Sequence, residues 1–285
     1  MKPSRRLCLG IVFSLSGWHL AGCAPLPAYS PAPAVSARSD WTLVWSDEFD
    51  RDGLPDTSRW NYDVGGDGWG NHELQFYTAA RRENARIENG HLVIEARREA
   101  WKGKEYTSAR LTTKGHGDWS HGRFDIRAKL PDGHGTWPAI WMLPTVWNLG
   151  DGGWPDNGEI DIMEHVGHDP GVIHASTHTQ KNQWRNNNQR TATVQIPDAT
   201  TAFHTYSMEW DAEEIRIFVD DRLYFTSRKD GGDWTSWPFF KNFHLVINLA
   251  IGGEWGGMKG VDKNAFPQRM EVDFVRVYER SVKTP

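Results

Sequence analysis

The chain has 285 residues, 38% hydrophobic and 24% charged, enough apolar material for one large domain or two small ones and too much for global disorder. Lysine and arginine total 32 against 37 acids, a formal net charge of −5, which argues against a nucleic-acid partner. Two cysteines exclude a disulfide framework and a cysteine-based zinc site. The 16 tryptophans exceed what a core needs and point to a flat, mostly neutral partner that stacks on aromatic faces.

The chain begins with an address. Lys2, Arg5 and Arg6 form a basic head, and Leu7 to Leu15 is apolar but too short to span a bilayer. Leu20-Ala21-Gly22-Cys23 resembles the bacterial lipoprotein signal, cleaved before a cysteine whose sulfur is then lipidated; the alternative is an ordinary signal peptide with a chance cysteine. The resemblance implies that residues 1–22, with Cys8, are removed and that Cys23 carries lipid. Residues 23–39 are rich in Pro, Ala and Ser and read as a semi-rigid tether. The expected localisation is therefore export with a lipid anchor, on the outer membrane or cell surface. A monomer is expected.

Residues 40–280 show no composition break or repeat. Leu92, Ile94 and Ala96 alternate with Val93 and Glu95; Phe124, Ile126 and Ala128 with Asp125, Arg127 and Lys129; Ile215, Ile217 and Val219 with Arg216 and Phe218. Period two predicts strands. Turn signals fall between them at Asn89-Gly90, Pro131-Asp132-Gly133, Asp220-Asp221 and Gly252-Gly253. His244 to Ile251 is apolar or aromatic on both faces, as in an inner sheet. One all-β domain, a sandwich or barrel, is predicted, with residues 281–285 as a tail.

Glu159-Ile160-Asp161-Ile162-Met163-Glu164 carries the chemistry. On a strand Glu159 and Asp161 share one face, while Ile160 and Ile162 point into the core. Strict alternation would bury Glu164 among apolar groups, at high cost for a charge. One extra residue near Met163, a β-bulge, would bring Glu164 back beside the other two, and bulges re-aim side chains near active sites. Three crowded acids raise the pKa of at least one, which suits glycoside hydrolysis, where one carboxyl donates a proton while another stays ionised. A solvated acidic strand or a metal site remains open on spacing alone.

Gly158-Glu159-Ile160-Asp161-Ile162-Met163-Glu164 resembles the bulged signature of glycoside hydrolase family 16. Further segments resemble its laminarinase branch in order: Trp45 to Phe49, Asn71 to Thr78, Tyr106 to Leu111, Gly122 to Phe124, Gly135 to Pro144, Asn248 to Gly253 and Asp273 to Tyr278. The resemblance covers nearly all of 41–279. It implies a β-jelly-roll of two stacked antiparallel sheets with a concave cleft, and retaining endo-cleavage of β-1,3-glucan. It implies Glu159 as nucleophile, Glu164 as acid and then base, and Asp161 as the residue that holds the nucleophile. His178 resembles a family histidine near the acid/base and is expected among the sugar contacts. No catalytic cofactor is implied; a structural calcium at Glu48, Gly90 and Asp273 is.

An indole can stack on the apolar face of a pyranose while its polar rim is hydrogen-bonded. Trp137, Trp141, Trp154 and Trp255 are the expected platforms, and Asn71, Arg110 and Asn248 the expected hydroxyl partners. Other β-linked polysaccharides (mixed-linkage glucan, agar, carrageenan, porphyran) and transglycosylation remain open, because cleft loops at 146–157 and 180–189 decide them. A non-catalytic glucan-binding protein is disfavoured because all three acids are present.

Overall fold

The computed structural model describes residues 40–281; the expected signal segment, Cys23, the whole tether and residues 282–285 lie outside the described residues. Eighteen strands follow one another there: β1 Trp41–Asp47, β2 Asn61–Tyr62, β3 Gln75–Tyr77, β4 Ala85–Glu88, β5 His91–Trp101, β6 Lys104–Ser108, β7 Arg110–Thr112, β8 Asp118–Trp119 and β9 Gly122–Lys129. The second half contains β10 Thr136–Pro144, β11 Glu159–Glu164, β12 Val172–His178, β13 Arg190–Gln195, β14 His204–Trp210, β15 Glu214–Val219, β16 Arg222–Arg228, β17 Phe243–Ile251 and β18 Gln268–Arg280. A short 3-10 turn covers Trp184–Asn186.

The strands form two sheets of ten and eight. The larger runs β16-β15-β14-β9-β18-β5-β6-β3, with β1 on β18 and β4 on β5; the smaller runs β13-β12-β11-β10-β17-β7-β2, with β8 on β17. Pairing is antiparallel except between β3 and β6. The fold is the all-β jelly-roll sandwich that the alternation and the motifs imply.

Two of the four predicted turns close hairpins, while Pro131-Asp132-Gly133 and Gly252-Gly253 lead from one sheet to the other. Glu88 faces His91 across Asn89-Gly90, and Val219 faces Arg222 across Asp220-Asp221. All four turn residues have positive φ, the geometry whose twist matches two-residue hairpins and that Asn, Asp and Gly tolerate best. The core fills the space between the sheets. Leu245, Ile247, Leu249 and Ile251 of β17 and Ile140 and Met142 of β10 meet Phe124, Ile126, Met208 and Val275 of the larger sheet. Every residue of β17 is buried, because its other face lies beneath the cleft.

Candidate active site

The cleft crosses the outer face of the smaller sheet. In β11 the register slips: Trp141 pairs with Asp161 but Ile140 with Met163, and on the other side Asp161 pairs with Ser176 but Glu164 with His174. The extra residue is the predicted bulge, within Ile162–Met163. Ile160, Ile162 and Met163 all enter the core, while Glu159, Asp161 and Glu164 all line the cleft.

Directly opposed residues of neighbouring strands share a face. One such row runs Arg110, Asn248, Ala139, Glu164, His174 over β7, β17, β10, β11 and β12. Ala139 stands between Trp137 and Trp141 on that face of β10, so a small side chain leaves room between two indoles, beside Glu164.

Each glutamate has its own indole. Trp154 Nε1 donates to Glu159 Oε2 at 3.0 Å, and Trp137 Nε1 donates to Glu164 Oε1 at 3.0 Å. Asp161 is 2% exposed, with His178 Nε2 3.2 Å from its Oδ2 and 3.9 Å from Glu159 Oε1. Burial pushes all three carboxyls up to about 8, and the Asp161 charge adds to the rise in both glutamates. The indole bonds and the His178 charge oppose it. Three acids packed together cannot all ionise cheaply, so these carboxyls hold their protons to higher pH than exposed ones do.

Asn71, Arg110, Trp137, Trp141, Trp154 and Asn248 all line the cleft as expected. Two expected contacts lie elsewhere. His178 sits behind Glu159 and Asp161, 6% exposed, and acts on the acids, not on the open cleft. Trp255 is not among the lining residues; it packs edge-on against Trp137 and His174, because the chain beyond Gly252-Gly253 tucks the indole behind Trp137. Trp69, Glu73, Trp147, Trp184 and Arg185 line the cleft without having been expected there. Arg110 lies over the rings of Trp69 and Trp141 at 4.6 and 4.7 Å, and Arg185 over Trp154 and Trp184 at 4.7 and 5.4 Å. Two tryptophan–arginine stacks therefore bracket the acids.

Glu159, Asp161 and His178 bring one potential metal-ligand atom each within 4.8 Å of one another, yet the imidazole already serves as the partner of the acids. Among the residues expected to hold calcium, Glu48 accepts two bonds from Arg276, at 2.9 and 2.7 Å, and Asp273 Oδ2 accepts from Arg127 at 2.6 Å. These carboxylates are neutralised by guanidinium groups, and so arranged they do not fit the oxygen shell of a calcium ion. Arg276 also holds the Glu48 carboxyl below the usual range.

The model of the family described as glycosyl hydrolases family 16 matches residues 72–276. The Rhodothermus marinus "Beta-glucanase" is 56% identical over 252 residues, covering 85% of this chain and 88% of the relative. The structure of the laminarinase from Rhodothermus marinus superposes with a TM-score of 0.84 at 56% identity, covering 85% of this chain and 98% of that one. A variant of SCLam, described as a non-specific endo-β-1,3(4)-glucanase and co-crystallised with 1,3-β-D-cellotriosyl-glucose, gives a TM-score of 0.81 at 45% identity, covering 85% and 96%. With the family model over most of the chain, and a relative this similar over nearly its whole length, the protein belongs to glycosyl hydrolase family 16.

Proposed function

We propose that the protein cleaves β-1,3-glucan within the chain, with retention of configuration, and that Glu159 and Glu164 carry the two displacements. The observation that supports this most is the bulge at Ile162–Met163, which turns both glutamates into one cleft lined with tryptophans. In the first step Glu164 gives its proton to the glycosidic oxygen while a Glu159 oxygen bonds to the anomeric carbon and the C–O bond breaks. In the second, the Glu164 carboxylate takes a proton from water as the water oxygen displaces Glu159. Burial raises both glutamates alike, and an indole bond and the His178 charge oppose that rise in both; the roles of nucleophile and acid follow the family resemblance of the Glu159 to Glu164 segment. Asp161 lies between the two glutamates in the strand and beside His178 and keeps the nucleophile oriented, so its loss should cost less than loss of either glutamate. No cofactor enters either step.

The β-1,3 linkage is carried over from the relatives named laminarinase. A second reading, in which mixed-linkage glucan is also cut, is favoured by the 45% identity to a glucanase described as non-specific. A product profile on laminarin, lichenan, agarose and carrageenan tests both, read with the anomeric form first released. Internal cuts in laminarin with the β-anomer first are expected. Cleavage of lichenan as well supports the second reading; an intact laminarin sample or an initial α-product overturns the first.

We further propose that Cys23 is lipidated and that the domain works at a membrane surface. The Leu20-Ala21-Gly22-Cys23 pattern and the proline-rich segment after it support this. Cys23→Ser should release the protein from the membrane fraction with full activity; unchanged fractionation would overturn the anchor. At Glu48 the reading we favour is an arginine partner in place of a calcium ligand.

A further inference from the structure

One buried acid in the cleft has no part in the two displacements. Glu73 is 6% exposed and lines the cleft. Its backbone is fixed by a bridge to Gly252 and by the bond from Leu74 N to Ile251 O at 2.9 Å. Three donors converge on its carboxylate: Asn71 Nδ2 on Oε1 at 3.2 Å, and Gln75 Nε2 at 2.6 Å and the Tyr77 hydroxyl at 3.2 Å on Oε2.

The direction of these bonds follows from groups that have no choice. An indole N–H can only donate, so Asn248 Oδ1, 2.7 Å from Trp141 Nε1, accepts. The Asn248 amine then donates to the Tyr77 oxygen at 3.0 Å, and the one Tyr77 proton goes to Glu73. Likewise Ile251 N donates to Gln75 Oε1 at 2.8 Å, which leaves the Gln75 amine for Glu73. Position 73 thus needs a side chain that only accepts. Burial raises the Glu73 carboxyl above its usual range, and the donors and the Arg110 charge work against that rise.

We propose that Glu73 is a positioning residue of the sugar site: as the acceptor at the end of the Trp141–Asn248–Tyr77 chain, it fixes the plane of the Trp141 indole on which a glucosyl ring stacks. The proposal rests on the reading of Trp141 as a sugar platform. Glutamine can keep its oxygen toward Gln75 and Tyr77 and turn its amine to Asn71 alone, whereas methionine, of similar length, accepts from none of the three and breaks the chain without emptying the space.

The test is steady-state kinetics on soluble β-1,3-gluco-oligosaccharide. Tyr77→Phe removes one hydroxyl and should raise KM about tenfold, since a donor is left unpaired, with kcat within about threefold, because the lost contact is made equally before and during reaction. Glu73→Met should do at least as much, and the double variant no more than Glu73→Met alone, since both cut one chain. Trp141→Ala in the same assay separates two failures. A KM unchanged in Trp141→Ala removes the platform and the proposal with it. A raised KM there, with wild-type KM in Tyr77→Phe and Glu73→Met, overturns the relay alone. Effects that multiply in the double variant, or a fall in Tm and kcat at constant KM, would mean that Glu73 serves only the fold.

Discussion

Replacing Trp154 or Trp137 by phenylalanine should move opposite limbs of the pH profile. Each substitution keeps an aromatic body and deletes one N–H, bonded at 3.0 Å to Glu159 or to Glu164. A hydrogen bond to a charged group is worth about 1.5–3 kcal/mol, and one pKa unit about 1.4 kcal/mol. Water entering the open cleft replaces part of the lost donor, which leaves a rise of about one unit in the carboxyl concerned. Glu159 must be ionised to attack, so Trp154→Phe should shift the acid limb of kcat/KM up by about one unit and leave the alkaline limb in place. Glu164 must be protonated to donate, so Trp137→Phe should shift the alkaline limb up and leave the acid limb. The limbs belong to a coupled set that includes Asp161, so the readout is the difference between variants across about pH 4 to 10. If Trp154→Phe moved the alkaline limb instead, the assigned roles of the two glutamates would be exchanged; if neither limb moved, the indoles would not control the ionisations.

Two other outcomes are expected. Burial holds Glu159 at about 8 in the folded chain, far above an unfolded glutamate, so the folded state binds more protons than the unfolded state between about pH 4.5 and 8, and this site's contribution to stability falls as pH rises through that window. Glu159→Gln should therefore be more stable than the parent at pH 8, by about 1–3 kcal/mol after allowance for cleft water, or about 2–4 °C in Tm per kcal/mol; by pH 4 the gap should close, and a variant less stable than the parent at pH 8 would contradict the burial argument. Because Arg276 occupies the Glu48 carboxylate, a chelator should leave Tm within about 1 °C, whereas a Tm several degrees higher with added calcium would show that a binding shell forms there.

The parts of the molecule visible in the sequence are those governed by a period. Leu92, Phe124 and Ile215 begin alternations that become β5, β9 and β15. Glu164 betrayed the bulge because a charge at its alternating position would have been buried among apolar groups. Loops carry no period, and they supply much of the cleft. Residues 146–157 and 180–189 could be marked as cleft loops, but nothing local to Trp147, Trp184 or Arg185 says which way each side chain turns. Trp255 was misplaced for the same reason: its neighbours in sequence frame the cleft, and one more turn of chain puts it behind Trp137. Glu73 was visible only as part of the segment Asn71 to Thr78; its role depends on Asn248 and Ile251, more than 170 positions away, which the fold alone brings together. The arginine partner of Glu48 was invisible for the same reason: Arg276, in a strand from the far end of the chain, reaches its carboxylate.

The division of labour between the two glutamates is tested most directly by azide rescue of Glu159→Ala and Glu164→Ala, with an aryl β-1,3-gluco-oligosaccharide whose leaving group needs no proton. With Glu159 gone, azide should take the place of the nucleophile and give the α-glycosyl azide in one displacement. With Glu164 gone, the glycosyl–Glu159 intermediate should still form, and azide should open it to the β-glycosyl azide. The opposite assignment of anomers, or an α-azide from both variants, would contradict the account.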